Sequence, residues 1–205
     1  MRAVRERCVW SQRITHRDLV PYLIEESHEV IEAVESGTRD DLREELGDLL
    51  WQVLFHSAIA AQDPDDPFDI DDVAQTLTEK MVRRHPHVFA GEVATTPDEV
   101  LVHWNAAKAA EKRTRTSVLD GVPRGMPALA LAQKLVGRAA GVGVTPDASG
   151  TQPSSGPHPS SEGELGDAML VLVSLARERG WDAERALRER LRLLEDEVRA
   201  AEVEG

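Results

Sequence analysis

The chain has 205 residues, of which 41% are hydrophobic, 30% are charged and 4% are aromatic. Its 37 acidic and 24 basic side chains give a formal net charge of -13, which argues against a protein that binds mainly the backbone of a nucleic-acid polymer. The length allows one to two domains, and the aliphatic, charged composition favours a helix-rich globular protein. An anionic partner would need a cation or a local basic patch to offset the acidic field.

Cys8 is the single cysteine of the chain. An intramolecular disulfide and a cysteine-rich zinc site are therefore excluded, and a reducing compartment is the simpler assumption. Residues 1–7 are charged, and no apolar run approaches the roughly 18 residues of a membrane span. We expect a cytoplasmic protein that does not contact a membrane.

Apolar residues recur at helical spacing in the first half of the chain, and this pattern predicts four helices. They run over about 17–35, 39–61, 70–84 and 97–112. The second is apolar on almost every side, which is typical of a helix buried between others. A short turn at 36–40 joins it to the first, so these two helices are expected to lie antiparallel.

The second half of the chain is interrupted by residues 145–161, which are almost entirely Pro, Ser, Gly and Thr. Such a composition cannot pack a core and predicts a flexible linker. A fifth helix before it is expected to begin at Pro127 and to end near Gly141. Two further helices are predicted after it, over about 164–180 and 182–202.

The tetrapeptide Glu-Leu-Gly-Asp occurs at 45–48 and again at 164–167, each time before an aliphatic helical stretch. This repeat suggests a duplicated helical unit. The polar side chains that follow the first copy are replaced by apolar ones in the second, Gln52 by Val171 and His56 by Leu175. The second copy is therefore predicted to pack rather than to bind.

Acidic side chains lie in the apolar sectors of the first two helices. At about 100° per residue, Glu26 falls within roughly 20° of Leu19 and between Leu23 and Tyr22. Glu29 lies at the edge of the same sector. On the second helix Glu45 falls beside apolar residues, and Asp48 continues that strip. The alternative interpretation is a solvated acidic face, which is common for glutamate-rich turns.

Ionised carboxylates are costly to bury unless they are paired or bound to a metal. Two pairs at i, i+3 spacing, Glu26 with Glu29 and Glu45 with Asp48, would converge if the two helices are antiparallel. A set of oxygen ligands suits Mg²⁺ or Mn²⁺, and Mg²⁺ is commonly held by a few carboxylates together with substrate phosphates. The pattern therefore predicts both a divalent ion and a phosphate-bearing substrate.

These motifs resemble a known family. Glu-Glu-Ser-His-Glu at 25–29, followed by Glu-Leu-Gly-Asp at 45–48, resembles the EExxE…ExxD signature of all-α nucleoside triphosphate pyrophosphohydrolases. Arg-Arg-His-Pro-His-Val-Phe at 83–89, and Trp104 with Lys108, Glu111 and Lys112, look like motifs of its MazG branch. The similarity extends from about Cys8 over most of the chain.

The resemblance implies Mg²⁺-dependent hydrolysis of a nucleoside triphosphate to the monophosphate and pyrophosphate, in an intertwined homodimer with an all-α, MazG-like bundle. A housekeeping role on non-standard or damaged nucleotides is the expectation. By motif position, the metal ligands would be Glu26, Glu29, Glu45 and Asp48, and Glu25 would support the site or orient water. Which carboxylate accepts the proton of water stays open.

Basic residues are expected to neutralise the polyphosphate. The candidates are Lys80, Arg83 and Arg84 near the end of the third helix and Lys108 on the fourth. Cations at a helix C-terminus also complement its dipole without any further role. Trp104 is a candidate for stacking on the base, with a core position as the alternative. His28, His56, His85 and His87 are too scattered for a zinc site.

The predicted organisation has four parts. Residues 8–115 form the catalytic unit, 116–143 a connecting helical segment, 144–163 the flexible linker, and 164–205 a degenerate second MazG-like unit. The second unit is degenerate because the counterpart of 25–29 falls at 144–148, inside the linker, so Glu164 and Asp167 lack partner acids.

Two alternative functions stay open. One is a narrower all-α pyrophosphatase acting on dUTP, dCTP or phosphoribosyl-ATP, although the motif at 83–89 favours MazG. The other is a catalytically silent member that binds nucleotide or serves as a helical interaction module. The intact first acidic set favours the enzyme.

Overall fold

The computed structural model describes residues 1–111, 117–144 and 159–204, with side chains described up to residue 196. These residues form ten α-helices and contain no strand, which confirms the all-α prediction. The helices are Arg2–Arg7 (α1), Val9–Arg13 (α2), His16–Glu35 (α3), Arg39–Ala60 (α4), Ile70–Arg84 (α5), Pro86–Phe89 (α6), Pro97–Ala110 (α7), Ala128–Ala140 (α8), Glu162–Glu178 (α9) and Ala183–Glu204 (α10). None of them is long and apolar enough to cross a lipid bilayer.

Local sequence signals fix the bounds of α3 and α4. Thr15 and Thr38 cap the two helices, each in a reciprocal box with an aspartate three residues later. Gly37 ends α3, and a Cβ at this position would come within 2.7 Å of the Cα of Ala33, so the tight turn requires glycine. The turn folds α4 back antiparallel on α3, as predicted.

The chain divides into two compact units, Met1–Glu111 and Lys112–Gly205. In the first unit, α3 packs on α4, α4 on α5, and α5 on α7. Leu19 of α3 and Phe55 of α4 are each 1% exposed and form the centre of its small core. Burial of such large side chains stabilises the hairpin by about 1.5–3 kcal/mol each.

Two short helices at the start of the chain, α1 and α2, were not predicted. Arg5 of α1 is buried and donates to the backbone carbonyls of Ser11 and Ile14 and to the Oε1 of Gln62. Side-chain contacts of this kind, rather than helical periodicity, hold a helix of six residues. The four-residue helix α6 was missed as well, since its length leaves no period to read.

The helix α4 differs from its predicted environment. Leu46, Leu50 and Val53 are 50%, 55% and 39% exposed, so the prediction that α4 is covered on all sides is wrong for the single chain. The reason is that α3 and α5 pack on α4 and leave one apolar face open. Neighbouring apolar residues of α3, among them Val20 and Ile24, are exposed too.

In the second unit α8, α9 and α10 pack on one another. Val136 of α8 and Val173 of α9 are buried, and Gln133 of α8 bonds with the backbone of Trp181 and Ala183. The connecting segment predicted at 116–143 thus supplies the helix α8, which packs with α9 and α10. Most of the predicted linker, residues 145–158, lies outside the described part of the chain.

Candidate functional site

The antiparallel hairpin of α3 and α4 brings three of the predicted ligands together. One carboxylate oxygen each from Glu26, Glu29 and Glu45 lies within 4.8 Å of the other two. Glu26 and Glu29 project from one turn of α3, and Glu45 faces them from α4. Within the described residues, no other trio of His, Cys, Asp or Glu side chains converges this closely.

The carboxylates of this cluster repel one another because they carry like charges. Glu26 is half-buried, and burial raises the pKa of its carboxyl, with further increases from Asp48 and Glu29 that a hydrogen bond from Gln52 opposes. Burial also raises the pKa of Glu45, and Glu29 and Asp48 add to the shift. A divalent cation bound among these oxygens would relieve the repulsion, so the donor set fits a hard cation.

Asp48 and Glu25 lie at the margin of the carboxylate cluster. Asp48 is exposed and is not one of the three converging groups, but its charge raises the pKa of both Glu26 and Glu45. Glu25 is exposed and also lies outside the converging group. The structure therefore separates three converging carboxylates from two peripheral ones.

Gln52 is a polar neighbour of the cluster to which the sequence assigned no role. Its residue is 3% exposed, and its Nε2 donates to Oε1 of Glu26 at 3.3 Å. One turn further along α4, His56 stacks on His16, and their Nδ1 atoms lie 2.8 Å apart. The signal available in the sequence was the polar strip on an apolar helix, which is absent from the second copy.

The predicted phosphate- and base-binding residues lie on α5 and α7, which pack together. The guanidinium of Arg84 lies 4.8 Å from the ring centroid of Trp104 and forms an ion pair with Glu111 at 2.6 Å. Arg83 reaches the same carboxylate at 3.2 Å. These contacts hold the pKa of Glu111 below its usual range, chiefly through the hydrogen bond from Arg84.

The remaining candidates lie on the same two helices as Arg84 and Trp104. Lys80 of α5 and Lys108 of α7 are both half-buried. His85 donates from Nδ1 to the carbonyl of Met81 and lies edge-on to Trp104, with 5.2 Å between ring centroids. Arg84, Trp104 and His85 thus form a partly enclosed surface that carries both positive charge and aromatic faces.

The histidines divide between two places. His56 belongs to the α3–α4 hairpin, whereas the rings of His85 and His87 lie 5.5 Å apart at the end of α5 and on α6. His28 is exposed on α3. No histidine joins a metal-binding trio in the described part of the chain.

The second Glu-Leu-Gly-Asp lies at the start of α9. Ser161 caps this helix, and the carboxylate of Glu164 accepts hydrogen bonds from the backbone and hydroxyl of Ser160, both at 2.7 Å. These bonds lower the pKa of Glu164. Asp167 is exposed.

Fold and site together define an all-α protein whose α3–α4 hairpin gathers carboxylates and whose α5 and α7 carry basic and aromatic side chains in contact. Residues 14–89 match the MazG nucleotide pyrophosphohydrolase domain. The chain is 49% identical, over 98% of its length and 79% of the relative's, to an uncharacterized 26.1 kDa protein of Streptomyces cacaoi.

Two further relatives carry the name nucleoside triphosphate pyrophosphohydrolase. The protein of Escherichia coli is 36% identical over 88% of this chain and 74% of its own length. The protein of Mycolicibacterium smegmatis is 47% identical over 82% of this chain, which spans 53% of that relative. The chain belongs to the MazG nucleotide pyrophosphohydrolase family, a family of hydrolases.

Proposed function

We propose that this chain hydrolyses nucleoside triphosphates to the monophosphate and pyrophosphate, using Mg²⁺ held by the carboxylate cluster of the first unit. The observation that carries the proposal is the convergence of Glu26, Glu29 and Glu45 within 4.8 Å of one another. The names of the Escherichia coli and Mycolicibacterium smegmatis relatives support the same activity. Non-standard or damaged nucleotides are the proposed substrates.

Glu26, Glu29 and Glu45 would hold the ion, with Asp48 as the fourth ligand. Mg²⁺ bound there would polarise the phosphates and lower the pKa of water. A carboxylate beside the site then accepts the proton from water, and Glu25 orients or supports this arrangement. Burial and the neighbouring acids raise the pKa of Glu26 and Glu45, and a bound cation would offset this repulsion.

The basic–aromatic surface on α5 and α7 would receive the nucleotide. Arg83 and Arg84, with Lys80 and Lys108, would neutralise the phosphates, and Trp104 would stack on the base. The guanidinium of Arg84 lies over the ring of Trp104, and this contact restricts the rotamers of the arginine. The basic side chains supply the local positive charge that a chain with a net charge of -13 needs in order to bind an anion.

A homodimer is part of the proposal. Val20 and Ile24 of α3 and Leu46 and Leu50 of α4 are 46%, 53%, 50% and 55% exposed, respectively. So many large apolar side chains on adjacent helices favour burial against a second copy of the chain. Light scattering of the purified chain measures this directly, and a monomer at micromolar concentration would contradict it.

The activity is tested with the purified chain and a panel of standard and modified nucleoside triphosphates. Pyrophosphate release is followed with Mg²⁺ and with a chelator. We expect release that requires the ion, with the monophosphate as second product. Release of inorganic phosphate alone, or no turnover of any triphosphate, would contradict the proposed reaction.

A further inference from the structure

Gln52 occupies a buried position on α4, and its side chain contacts the carboxylate cluster. The residue is 3% exposed, and its Nε2 donates to Oε1 of Glu26 at 3.3 Å. Its own Oε1 is buried and has no hydrogen-bond partner among the described residues. The amide thus uses its donor on Glu26 while its acceptor is left unpaired.

Packing does not account for this glutamine. A buried amide with an unpaired oxygen is less favourable than an apolar side chain of similar size, because the oxygen loses its bonds to water on folding. Phe55 and Ala60 of the same helix show that apolar side chains are accommodated in this core. Methionine or leucine at position 52 would fill the space without an unpaired acceptor.

The charge of Glu26 explains the orientation of the amide. If the amide were turned over, the oxygen of Gln52 would face the carboxylate oxygen of Glu26, and the two acceptors would repel each other. With the nitrogen towards the carboxylate, the contact is a charge-assisted hydrogen bond. It restrains the orientation of the Glu26 carboxylate.

The second copy of the repeat lacks this contact between a glutamine and a glutamate. Val171 stands at the offset of Gln52, in a segment with no counterpart of Glu26. The amide therefore accompanies the carboxylate that it contacts and is absent where that carboxylate is absent.

We propose that Gln52 is a positioning residue that orients Glu26 for binding of a divalent cation. The inference rests on the proposed function, since it concerns the same metal site. A residue that fixes the orientation of a metal ligand typically alters metal affinity by about 10–100-fold.

The test uses Mn²⁺ as the probe and the full chain. Free Mn²⁺ is followed by electron paramagnetic resonance during titration of the wild-type chain and the Gln52→Met variant. We expect the Kd of the variant to be about 10-fold higher or more. Its Tm without metal should equal or exceed that of the wild type. Raising the Mn²⁺ concentration should restore kcat, because the carboxylates themselves are intact.

Ser57→Ala is the matched control. Ser57 is a buried polar residue of the same helix, 4% exposed, whose hydroxyl donates to the carbonyl of Val53 and not to the cluster. Its replacement should leave the Kd for Mn²⁺ unchanged.

The possible outcomes distinguish the proposed metal site from the proposed role of Gln52. Absence of Mn²⁺ binding by the wild type would overturn the proposed metal site and this inference with it. Binding by the wild type and equal binding by Gln52→Met would overturn the inference alone. A lower Tm for both Gln52→Met and Gln52→Leu, with activity that Mn²⁺ does not restore, would assign the amide a structural role and also overturn it.

Discussion

The tetrapeptide Glu-Leu-Gly-Asp has different structural roles at 45–48 and at 164–167. In the first copy the glutamate lies beyond the first turn of α4 and faces two acids of α3. In the second copy the glutamate lies in the first turn of α9 and binds the backbone and hydroxyl of Ser160. Identical tetrapeptides therefore form part of a candidate metal site in one place and a helix cap in the other.

The difference originates in the residues that precede each tetrapeptide. Asp40, Asp41 and Leu42 form the first turn of α4, and Asp41 completes the capping box with Thr38. At the same offset the second copy has Pro159, Ser160 and Ser161, and α9 begins only after them. Ser161 is the N-cap of α9 and accepts from the backbone of Glu164, so this helix starts about one turn later relative to the tetrapeptide, and Glu164 lies in its first turn.

Replacing the glutamate should have the largest effect on activity in one copy and almost none in the other. Glu45→Gln removes a converging carboxylate and should reduce pyrophosphate release about 100-fold or more. Glu164→Gln should stay within about 2-fold of the wild type, because the carboxylate of Glu164 only accepts hydrogen bonds from Ser160 at the start of α9. Initial rates at saturating Mg²⁺ measure both. Comparable losses in the two variants would show that the second copy takes part in the reaction.

The two glutamates should also affect stability with opposite dependence on pH. Burial and the neighbouring acids raise the pKa of Glu45 in the folded chain. Stability is therefore lost as pH rises from the unfolded value of about 4.3 through the folded value. Hydrogen bonds from Ser160 lower the pKa of Glu164, so the stability it contributes is present above the unfolded pKa and is lost as pH falls through the folded pKa.

The same variants measure this difference in metal-free protein. At pH 7 Glu45→Gln should raise the Tm, because it removes a repelled charge, and Glu164→Gln should lower it. Both differences should shrink towards pH 4. Thermal melts between pH 4 and 8 test the signs, and a fall in Tm for Glu45→Gln at pH 7 would contradict the assignment of like-charge repulsion.

The caps of the two helices are expected to be equivalent. Thr38 accepts from the backbone of Asp41, and Ser161 accepts from the backbone of Glu164. Substitution of either by alanine should lower the free energy of unfolding by about 1 kcal/mol. Urea denaturation measures the change. A cost confined to Thr38→Ala would mean that α9 is held by packing on α8 and α10 rather than by its cap.

The smallest effects are expected at the glycines of the two tetrapeptides. A Cβ added at Gly47 or Gly166 meets no heavy atom within 4 Å in this chain. Alanine at either helical position should therefore raise the free energy of unfolding by about 0.5–1 kcal/mol. A gain at Gly166 together with a loss at Gly47 would indicate that a second chain approaches α4, as in the proposed homodimer.

Much of the first unit was predictable because its signals are local. Thr15, Thr38 and Asp69 begin α3, α4 and α5 at or within one residue of the predicted positions, each with an aspartate three residues later. The short turn containing Gly37 fixes the antiparallel hairpin, and from it follows the approach of Glu26, Glu29 and Glu45. Helical spacing and a tight turn leave little freedom for these side chains.

Other features depend on contacts between distant residues. Arg83 and Arg84 of α5 pair with Glu111, the residue that follows α7. No local sequence pattern predicts this pairing. The packing of α8 on α9 and α10 likewise depends on partners across residues 145–158. The exposure of Leu46 and Leu50 was missed because periodicity identifies an apolar face without identifying what covers it.

By itself the sequence determined the all-α class, the bounds of the longer helices, the acidic pairs on α3 and α4, and the family that these motifs resemble. These properties follow from backbone geometry and from caps that act within a few residues. Only the tertiary structure decided that Gln52 turns its amide towards Glu26, that Asp48 lies outside the converging trio, and that Glu164 bonds with Ser160. Such roles depend on distances and burial between side chains, which residue spacing along one helix does not contain.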